Sequence, residues 1–117
     1  MGADRDEFLA RLAADFPDVA AGFGPYSAGR LHCEVGDFLR ATERAMDEGR
    51  LWEAERHFRL VEELLAAADP ELRNALEVSY LENLALGECP PARHRAVKDR
   101  MPPVLRAVLI GHHEQWR

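Results

Sequence analysis

DPELRNALEVSYLENLAL, residues 69 to 86, is the stretch of the chain that decides the fold. Asp69 offers a side-chain acceptor at a helix N-cap and Pro70 suits the first helical position, so a helix start is well marked. At 100° per residue, one apolar face carries Leu72, Ala75, Leu76 and Tyr80. Further apolar side chains lie well away from that face, at Val78, Leu81 and Leu84. The stretch therefore predicts a central helix that packs between other helices.

Polar residues also fall on this predicted helix. Ser79 and Asn83 lie on its inward face, where a buried polar group needs a hydrogen-bond partner. We interpret both, together with Glu82, as a network that fixes the helix, although an exposed Glu82 could instead bind a basic partner. Ser79 lacks the G-x-S-x-G turn of a nucleophile, and a mid-helix position suits catalysis poorly. The sequence predicts no catalytic residue here.

Two amphipathic segments precede the central helix. Apolar residues recur at helical spacing from Leu31 to about Glu48 and again from Leu51 to Ala68, and Gly49 separates the two runs. The short connection predicts an antiparallel helical hairpin. The part from Phe38 to Phe58 partly resembles a tetratricopeptide unit, but no second copy follows 34 residues later, which favours a single convergent hairpin.

The ends of the chain add further helices. Asp4 and Glu7 resemble a capping box that begins a first helix. Phe16-Pro17 ends this helix. The Gly-rich stretch that follows reads as a packed loop pinned by Phe23 and Tyr26, with a short helical turn or a binding role as the alternatives. Beyond Gly87 the pattern predicts a short basic helix over residues 92–100 and a last helix from residue 104.

These elements predict an all-α fold: a compact orthogonal bundle of five or six helices with a helical hairpin and a buried central helix. At 117 residues and 13.2 kDa, the chain suits a single domain over residues 1–117. No apolar run approaches the roughly 20 residues that span a bilayer. The acidic N-terminal residues do not resemble a secretory signal, which predicts a cytoplasmic protein without a membrane partner.

The net charge of the chain limits the kinds of macromolecule that it is expected to bind. A net charge of −6 disfavours nucleic acid and is compatible with a basic protein partner. Cys33 and Cys89 are the only thiols and lack a CxxC spacing, so free cysteines are expected. The adjacent His112 and His113 point to different helix sides, and completing a zinc site with Cys89 and His94 requires geometry that the sequence does not supply. We predict no metal and no cofactor.

The residues around Gly49 form the candidate partner-binding set. It comprises Glu43, Asp47, Glu48, Arg50, Trp52 and Glu53. Acidic groups accelerate association with a basic partner, whereas Arg and Trp are enriched in binding hot spots. The alternatives are an ordinary solvated helix face and, for Trp52, a place in the core.

A second set of residues has side chains of the types found in catalytic sites. His32, Glu34 and Asp37 are close in sequence, but a separation of five residues places His32 and Asp37 about 140° apart on a helix. We interpret both as structural polar residues, with Asp37 pairing with an arginine or capping a neighbouring helix.

Three segments carry a family resemblance. They are Phe16-Pro17, the LHCEVGDF stretch of residues 31–38 and the VSYLENL stretch of residues 78–84. With these, the chain resembles a poorly characterised family of small bacterial helical proteins associated with polymorphic-toxin immunity. The resemblance implies an all-α immunity protein that binds and neutralises a cognate toxin by occlusion, without catalysis. The alternative function is a non-catalytic helical adaptor for a peptide or regulatory protein. The oligomeric state stays open.

Overall fold

A computed structural model describes residues 3–81 of the chain. These residues form five α-helices: α1 Arg5–Asp15, α2 Pro17–Ala21, α3 Leu31–Asp47, α4 Leu51–Ala67 and α5 Pro70–Leu76. A π-helical segment, Glu77–Leu81, continues directly from α5. The prediction of an all-α bundle with a hairpin is confirmed. None of the helices within residues 3–81 is long and apolar enough to cross a membrane.

The first helix begins where the sequence predicts. The Asp4 side chain accepts a hydrogen bond from the Glu7 backbone N–H, which satisfies one free donor of the first turn. Phe8 and Leu12 are buried on its inner face. The residue before a proline avoids helical geometry, and α1 accordingly ends at Asp15, before Phe16-Pro17. Pro17 then occupies the first turn of α2, so the region expected to be a packed loop begins with a short helix.

Of the two aromatic residues expected to pin the rest of that loop, only one packs against the core. Phe23 is half-buried against the core, as predicted. Tyr26, however, is 72% exposed and does not pin the loop. Its ring lies against the guanidinium of Arg30, 4.8 Å from the ring centroid to the guanidinium carbon. This cation–π contact gives the ring a partner at the surface.

The helical hairpin is closed by a local motif around Gly49. The Gly49 N–H donates to the Met46 carbonyl at 3.2 Å, and the Arg50 N–H donates to the Ala45 carbonyl at 2.8 Å. These two bonds form a Schellman motif, which requires a left-handed residue, and Gly49 has a φ of +78°. The three-residue connection therefore holds α3 and α4 side by side, as the sequence predicts.

The central helix starts as predicted but changes its winding. The Asp69 side chain accepts from the Leu72 N–H at 2.8 Å, and α5 buries Leu72, Ala75 and Leu76. In the π-helical segment the hydrogen bonds run to the fifth residue, which shifts the phase of the side chains. Leu81 is thereby buried beside Tyr80, whereas Val78 is 41% exposed and does not add to the packed surface. The rest of the predicted central helix and the helices predicted beyond Gly87 lie outside the described residues 3–81.

Phe38 is the centre of the core. Its ring contacts the rings of Phe8, Phe16, His57 and Tyr80 at centroid distances of 6.1, 6.0, 4.8 and 5.2 Å respectively. These partners come from α1, its C-terminal boundary, α4 and the π-helical segment. A single side chain of α3 therefore joins most of the elements of the described fold.

An ion pair between Arg5 and the buried carboxylate of Glu34 fixes the other end of α3. Glu34 is 2% exposed and accepts hydrogen bonds from Arg5 Nε at 2.8 Å and Arg5 Nη2 at 2.9 Å. The Gly29 backbone N–H donates to the same carboxylate at 3.0 Å. These charge-assisted bonds, those from Arg5 above all, hold the pKa of Glu34 below its usual value. Glu34 thus ties α1 and the loop to the start of α3.

Candidate functional site

A groove runs along α3 to the Gly49 turn. It consists of two adjoining cavities of about 630 and 260 Å³, which share Asp18, Val19 and Arg44 in their walls. The larger cavity lies between α2 with its following loop and α3, and the smaller one extends to α4. We call the two cavities together the hairpin-end groove.

Five of the six predicted partner-binding residues line this groove. Glu43 and Asp47 contribute to the larger cavity. Glu48, Arg50 and Glu53 contribute to the smaller one. The helical spacing around Gly49 therefore placed these side chains on one continuous concave surface. Their role in binding stays a prediction.

The groove is acidic. Among residues 3–81, its lining contains six carboxylates and three guanidinium groups, a formal net charge of −3. Some of these charges pair within the groove: Arg40 binds Asp37, and Arg50 binds both Glu48, at 3.0 Å, and Glu53. Exposed pairs of this kind contribute little to stability, but they hold the side chains in fixed positions. A concave acidic surface raises the local concentration of cations.

Trp52 lies outside the groove lining and is 62% exposed. The Arg56 guanidinium carbon lies 5.5 Å from the centroid of the Trp52 ring and 4.9 Å from that of Phe16. Arg56 is therefore sandwiched between a surface indole and a core phenyl ring, in reach of cation–π attraction to both. Of the two alternatives for Trp52, the core is excluded.

A buried polar network lies behind the groove. The hydroxyl oxygen of Thr42 is 2.7 Å from His57 Nδ1, 2.7 Å from the Tyr80 hydroxyl and 3.2 Å from the Phe38 carbonyl. All three side chains of the network are buried. The burial of His57 was not predicted, although the sequence holds one signal for it. The signal was its spacing: His57 lies three residues after Ala54 and four before Val61, in the apolar stripe of α4.

The network supplies the Thr42 hydroxyl with several partners. The Phe38 carbonyl can only accept a hydrogen bond, whereas His57 Nδ1 and the Tyr80 hydroxyl can each donate to the Thr42 oxygen or accept from it. Burial is the main cause that lowers the pKa of His57 to about 4 and raises the pKa of Tyr80, so both side chains are neutral at pH 7. Among residues 3–81, the Nε2 atom of His57 has no hydrogen-bond partner.

The predicted structural polar residues have separate surroundings. His32 is exposed, and its Nδ1 lies 2.8 Å from the Ser79 hydroxyl, which joins the start of α3 to the π-helical segment. Asp37 pairs with Arg40 on its own helix. His32 and Asp37 therefore have different partners. Glu82 and Asn83 lie outside the described residues.

Within residues 3–81, no three His, Cys, Asp or Glu side chains are placed to hold a metal ion together. Cys33 is a free, half-buried thiol. The weak zinc candidates at Cys89, His94, His112 and His113 lie outside the described residues.

The comparison with protein families covers most of the chain. A model described as Domain of unknown function (DUF7674) matches residues 9–117. The chain belongs to this family. The hairpin, the groove and the buried network all lie within the matched range. No curated protein and no solved structure matches the chain significantly.

His57 should make stability depend on pH. Its pKa is about 4 in the folded protein against an ordinary value of 6.5, so the unfolded chain binds the proton first as pH falls. The unfolding free energy should fall by about 2 kcal/mol between pH 7 and pH 5. Urea unfolding of the wild-type protein and of His57→Gln at several pH values measures this slope.

The two proteins should differ in that pH window. His57→Gln lacks this imidazole, so its curve should be flatter. Glu34, whose lowered pKa contributes stability that is lost as pH falls below about 4.5, acts in a more acidic range. Equal slopes between pH 7 and pH 5 in the two proteins would rule out His57 as the source.

Proposed function

We propose that the chain is a non-catalytic, cytoplasmic immunity protein that binds a cognate bacterial toxin through the hairpin-end groove and Trp52, and occludes the toxin's active surface. The observation that carries this proposal is an exposed tryptophan beside an acidic groove on one helical hairpin. The resemblance in residues 16–17, 31–38 and 78–84 supports the same function.

The aromatic part of this surface is suited to short-range contact. Trp52 exposes a large apolar area at the surface of α4, and tryptophan and arginine are the residue types most enriched in binding hot spots. Arg56 supports one side of the indole. A side chain that is already positioned loses less conformational entropy when a partner binds.

The acidic part is suited to attraction at longer range. The formal charge of −3 in the groove has the same sign as the net charge of −6 of the chain. A basic partner is therefore steered toward this surface, which increases the association rate more than it slows dissociation. The proposed toxin presents a basic surface.

A helical adaptor for a basic peptide is the second candidate. The observation that favours it is the shape of the groove, which is long enough to pass from the α2 loop to the Gly49 turn. An extended peptide with lysine or arginine side chains would match its charge. Binding of such a peptide without any protection against a toxin would favour the adaptor.

Co-expression tests the immunity proposal. Toxin genes adjacent to the gene for this chain are induced in a host with and without it, and growth and co-purification are measured. We expect growth to be restored and the two proteins to co-purify. If candidate toxins from the neighbouring genes are neither bound nor neutralised, the proposal is wrong.

Removing charge from the groove should slow association. Replacing Glu43, Asp47 and Glu48 by Gln, Asn and Gln should lower the association rate about tenfold at low salt and reduce its salt dependence, because long-range attraction is lost. Stopped-flow or surface-binding kinetics at several salt concentrations measure both effects.

A matched control removes three carboxylates elsewhere. Asp6, Glu7 and Glu71 are exposed, and both Asp6 and Glu71 lie near Arg5, which pairs with Glu34 at the far end of α3 from the Gly49 turn. Replacing them by Asn, Gln and Gln changes the net charge equally but leaves the groove intact. Equal slowing by the two triple variants would assign the effect to the net charge and not to the groove.

A further inference from the structure

Ser27 is a buried polar residue in the wall of the larger cavity. It is 8% exposed and lies in the loop after α2. Among residues 3–81, no group forms a hydrogen bond with its hydroxyl, and His57 Nε2 is the one fully enclosed side-chain polar atom without a partner. The Ser27 hydroxyl is therefore not sealed inside the protein. A residue that is buried except for an unpartnered polar group at a cavity wall is placed to bind an occupant of that cavity.

The opposite wall of the cavity is a charged stripe of α3. Its members are Asp37, Arg40, Glu43, Arg44 and Asp47. They recur at spacings of three or four residues, so they share one face of the helix. The ten residues from the first to the last rise by roughly 15 Å. The cavity is therefore elongated, with the charged stripe on one side and the loop after α2 on the other.

Two carboxylates of the lining lack a counter-ion. Glu43 is half-buried and Asp18 is exposed, and neither forms an ion pair within residues 3–81. Asp37, in contrast, pairs with Arg40. Among the cations of the lining, only Arg44 is unpaired within that range, so the unpaired groups and the formal net charge of −2 both favour a cationic occupant. A half-buried carboxylate attracts a cation more strongly than an exposed one, because water screens it less.

A guanidinium group fits the two walls better than an ammonium group. Its planar fork donates two parallel hydrogen bonds to one carboxylate, as Glu43 offers, and its remaining N–H groups point away from that edge toward the Ser27 side. It is also more weakly hydrated than an ammonium group, so it loses less on entering a cavity. A volume of about 630 Å³ has room for the whole side chain and its adjoining backbone.

We propose that the larger cavity of the hairpin-end groove is a binding site for the guanidinium group of an arginine side chain, which donates hydrogen bonds to the Glu43 carboxylate on α3 and to the Ser27 hydroxyl on the opposite wall. In the complex, an arginine of the toxin supplies this group. That source rests on the proposed function, whereas the chemistry of the cavity is independent of it.

Nuclear magnetic resonance with N-acetyl-arginine methylamide tests the site directly. In the ¹⁵N-labelled protein at pH 7, the backbone amide resonances of Ser27 and Glu43 should shift saturably, with a Kd of about millimolar magnitude because the ligand is small. N-acetyl-citrulline methylamide has nearly the same shape without the charge and should bind at least about tenfold more weakly. N-acetyl-lysine methylamide keeps the charge without the planar fork and should bind about fivefold more weakly.

Three variants locate the effect. Glu43→Gln should weaken binding of the arginine derivative about tenfold, and Ser27→Ala about threefold, because the first bond is charge-assisted and the second is not. Glu71→Gln removes an exposed carboxylate at the start of α5 and should bind like the wild type. The Ser27 hydroxyl has no partner within residues 3–81, so Ser27→Ala should unfold at the wild-type urea concentration. Weaker binding at unchanged stability distinguishes a ligand contact from a structural role.

Four results would overturn the inference. They are the absence of a saturable shift with the arginine derivative, equal binding of the citrulline derivative, wild-type affinity in Glu43→Gln, and wild-type affinity in Ser27→Ala. Equal binding of the lysine derivative would overturn the assignment to arginine, since it would show that the cavity selects charge and not the planar fork.

Failure of this site and failure of the proposed function are distinguishable. The titration with amino-acid derivatives uses no toxin, and the co-expression test uses no derivative. Toxin neutralisation without binding of the arginine derivative would overturn the cavity assignment alone. Binding of the derivative without neutralisation would support the cavity and overturn the immunity function.

Discussion

Phe38→Ala should lower the free energy of unfolding by about 3–5 kcal/mol, the largest loss of stability that we expect from a single substitution in the described fold. The Phe38 side chain is fully buried and contacts the rings of Phe8, Phe16, His57 and Tyr80. Truncation removes the contacts that join α1, α3, α4 and the π-helical segment and leaves a cavity between them. Urea unfolding followed by circular dichroism measures the change.

Tyr26→Ala is the matched control for the removal of an aromatic ring. Tyr26 is exposed, so its truncation should change the unfolding free energy by no more than about 0.5 kcal/mol. Many domains of this size have a total stability of only about 5–15 kcal/mol, so Phe38→Ala could leave a protein that is partly unfolded without denaturant. A loss below about 1 kcal/mol would contradict the central place of Phe38.

Local signals in the sequence predict the element boundaries. The Asp4 cap, the Gly49 turn and the Asp69-Pro70 start each depend on a few neighbouring residues, and each is found as expected. Hydrophobic spacing likewise predicts the buried face of α5. The phase of the π-helical segment was not predictable in this way, because a change from i→i+4 to i→i+5 bonding leaves no mark in the apolar pattern.

Contacts between distant parts of the chain account for what the sequence did not predict. Glu34 was grouped with His32 and Asp37, but its partners are Arg5, 29 residues earlier, and Gly29. Its burial depends on how α1 crosses α3, which no local pattern specifies. The hydrogen bonds of the His57 network could not be predicted for the same reason. Thr42 belongs to α3 and binds both His57 of α4 and Tyr80 of the π-helical segment.

Only part of the candidate site could be predicted, because its two walls come from distant parts of the chain. Helical spacing places Glu43 and Asp47 on the outer side of α3, but a groove also needs an opposite wall. That wall comes from α2 and the loop after it, where Asp18 and Val19 line both cavities. The sequence predicts a packed loop in the region of α2. It therefore indicates an acidic surface around Gly49 but not the opposite wall that makes this surface a cavity.

Trp52→Ala should weaken binding of the proposed toxin about 30-fold or more, mainly by accelerating dissociation. The indole is 62% exposed and stacked by Arg56, so truncation removes short-range contact area without disturbing the core. The unfolding free energy should therefore change by no more than about 0.5 kcal/mol. Binding kinetics measured beside urea unfolding separate the two effects.

Two comparisons make the Trp52 prediction specific. Tyr26→Ala removes an aromatic ring of similar exposure from the loop after α2 and should leave the dissociation rate unchanged. Arg56→Gln keeps the indole but removes the guanidinium that stacks on it, and should accelerate dissociation less than Trp52→Ala does, because the contact area remains while its orientation is less fixed. An unchanged dissociation rate in a fully folded Trp52→Ala protein would remove Trp52 from the interface and leave binding to the acidic groove alone.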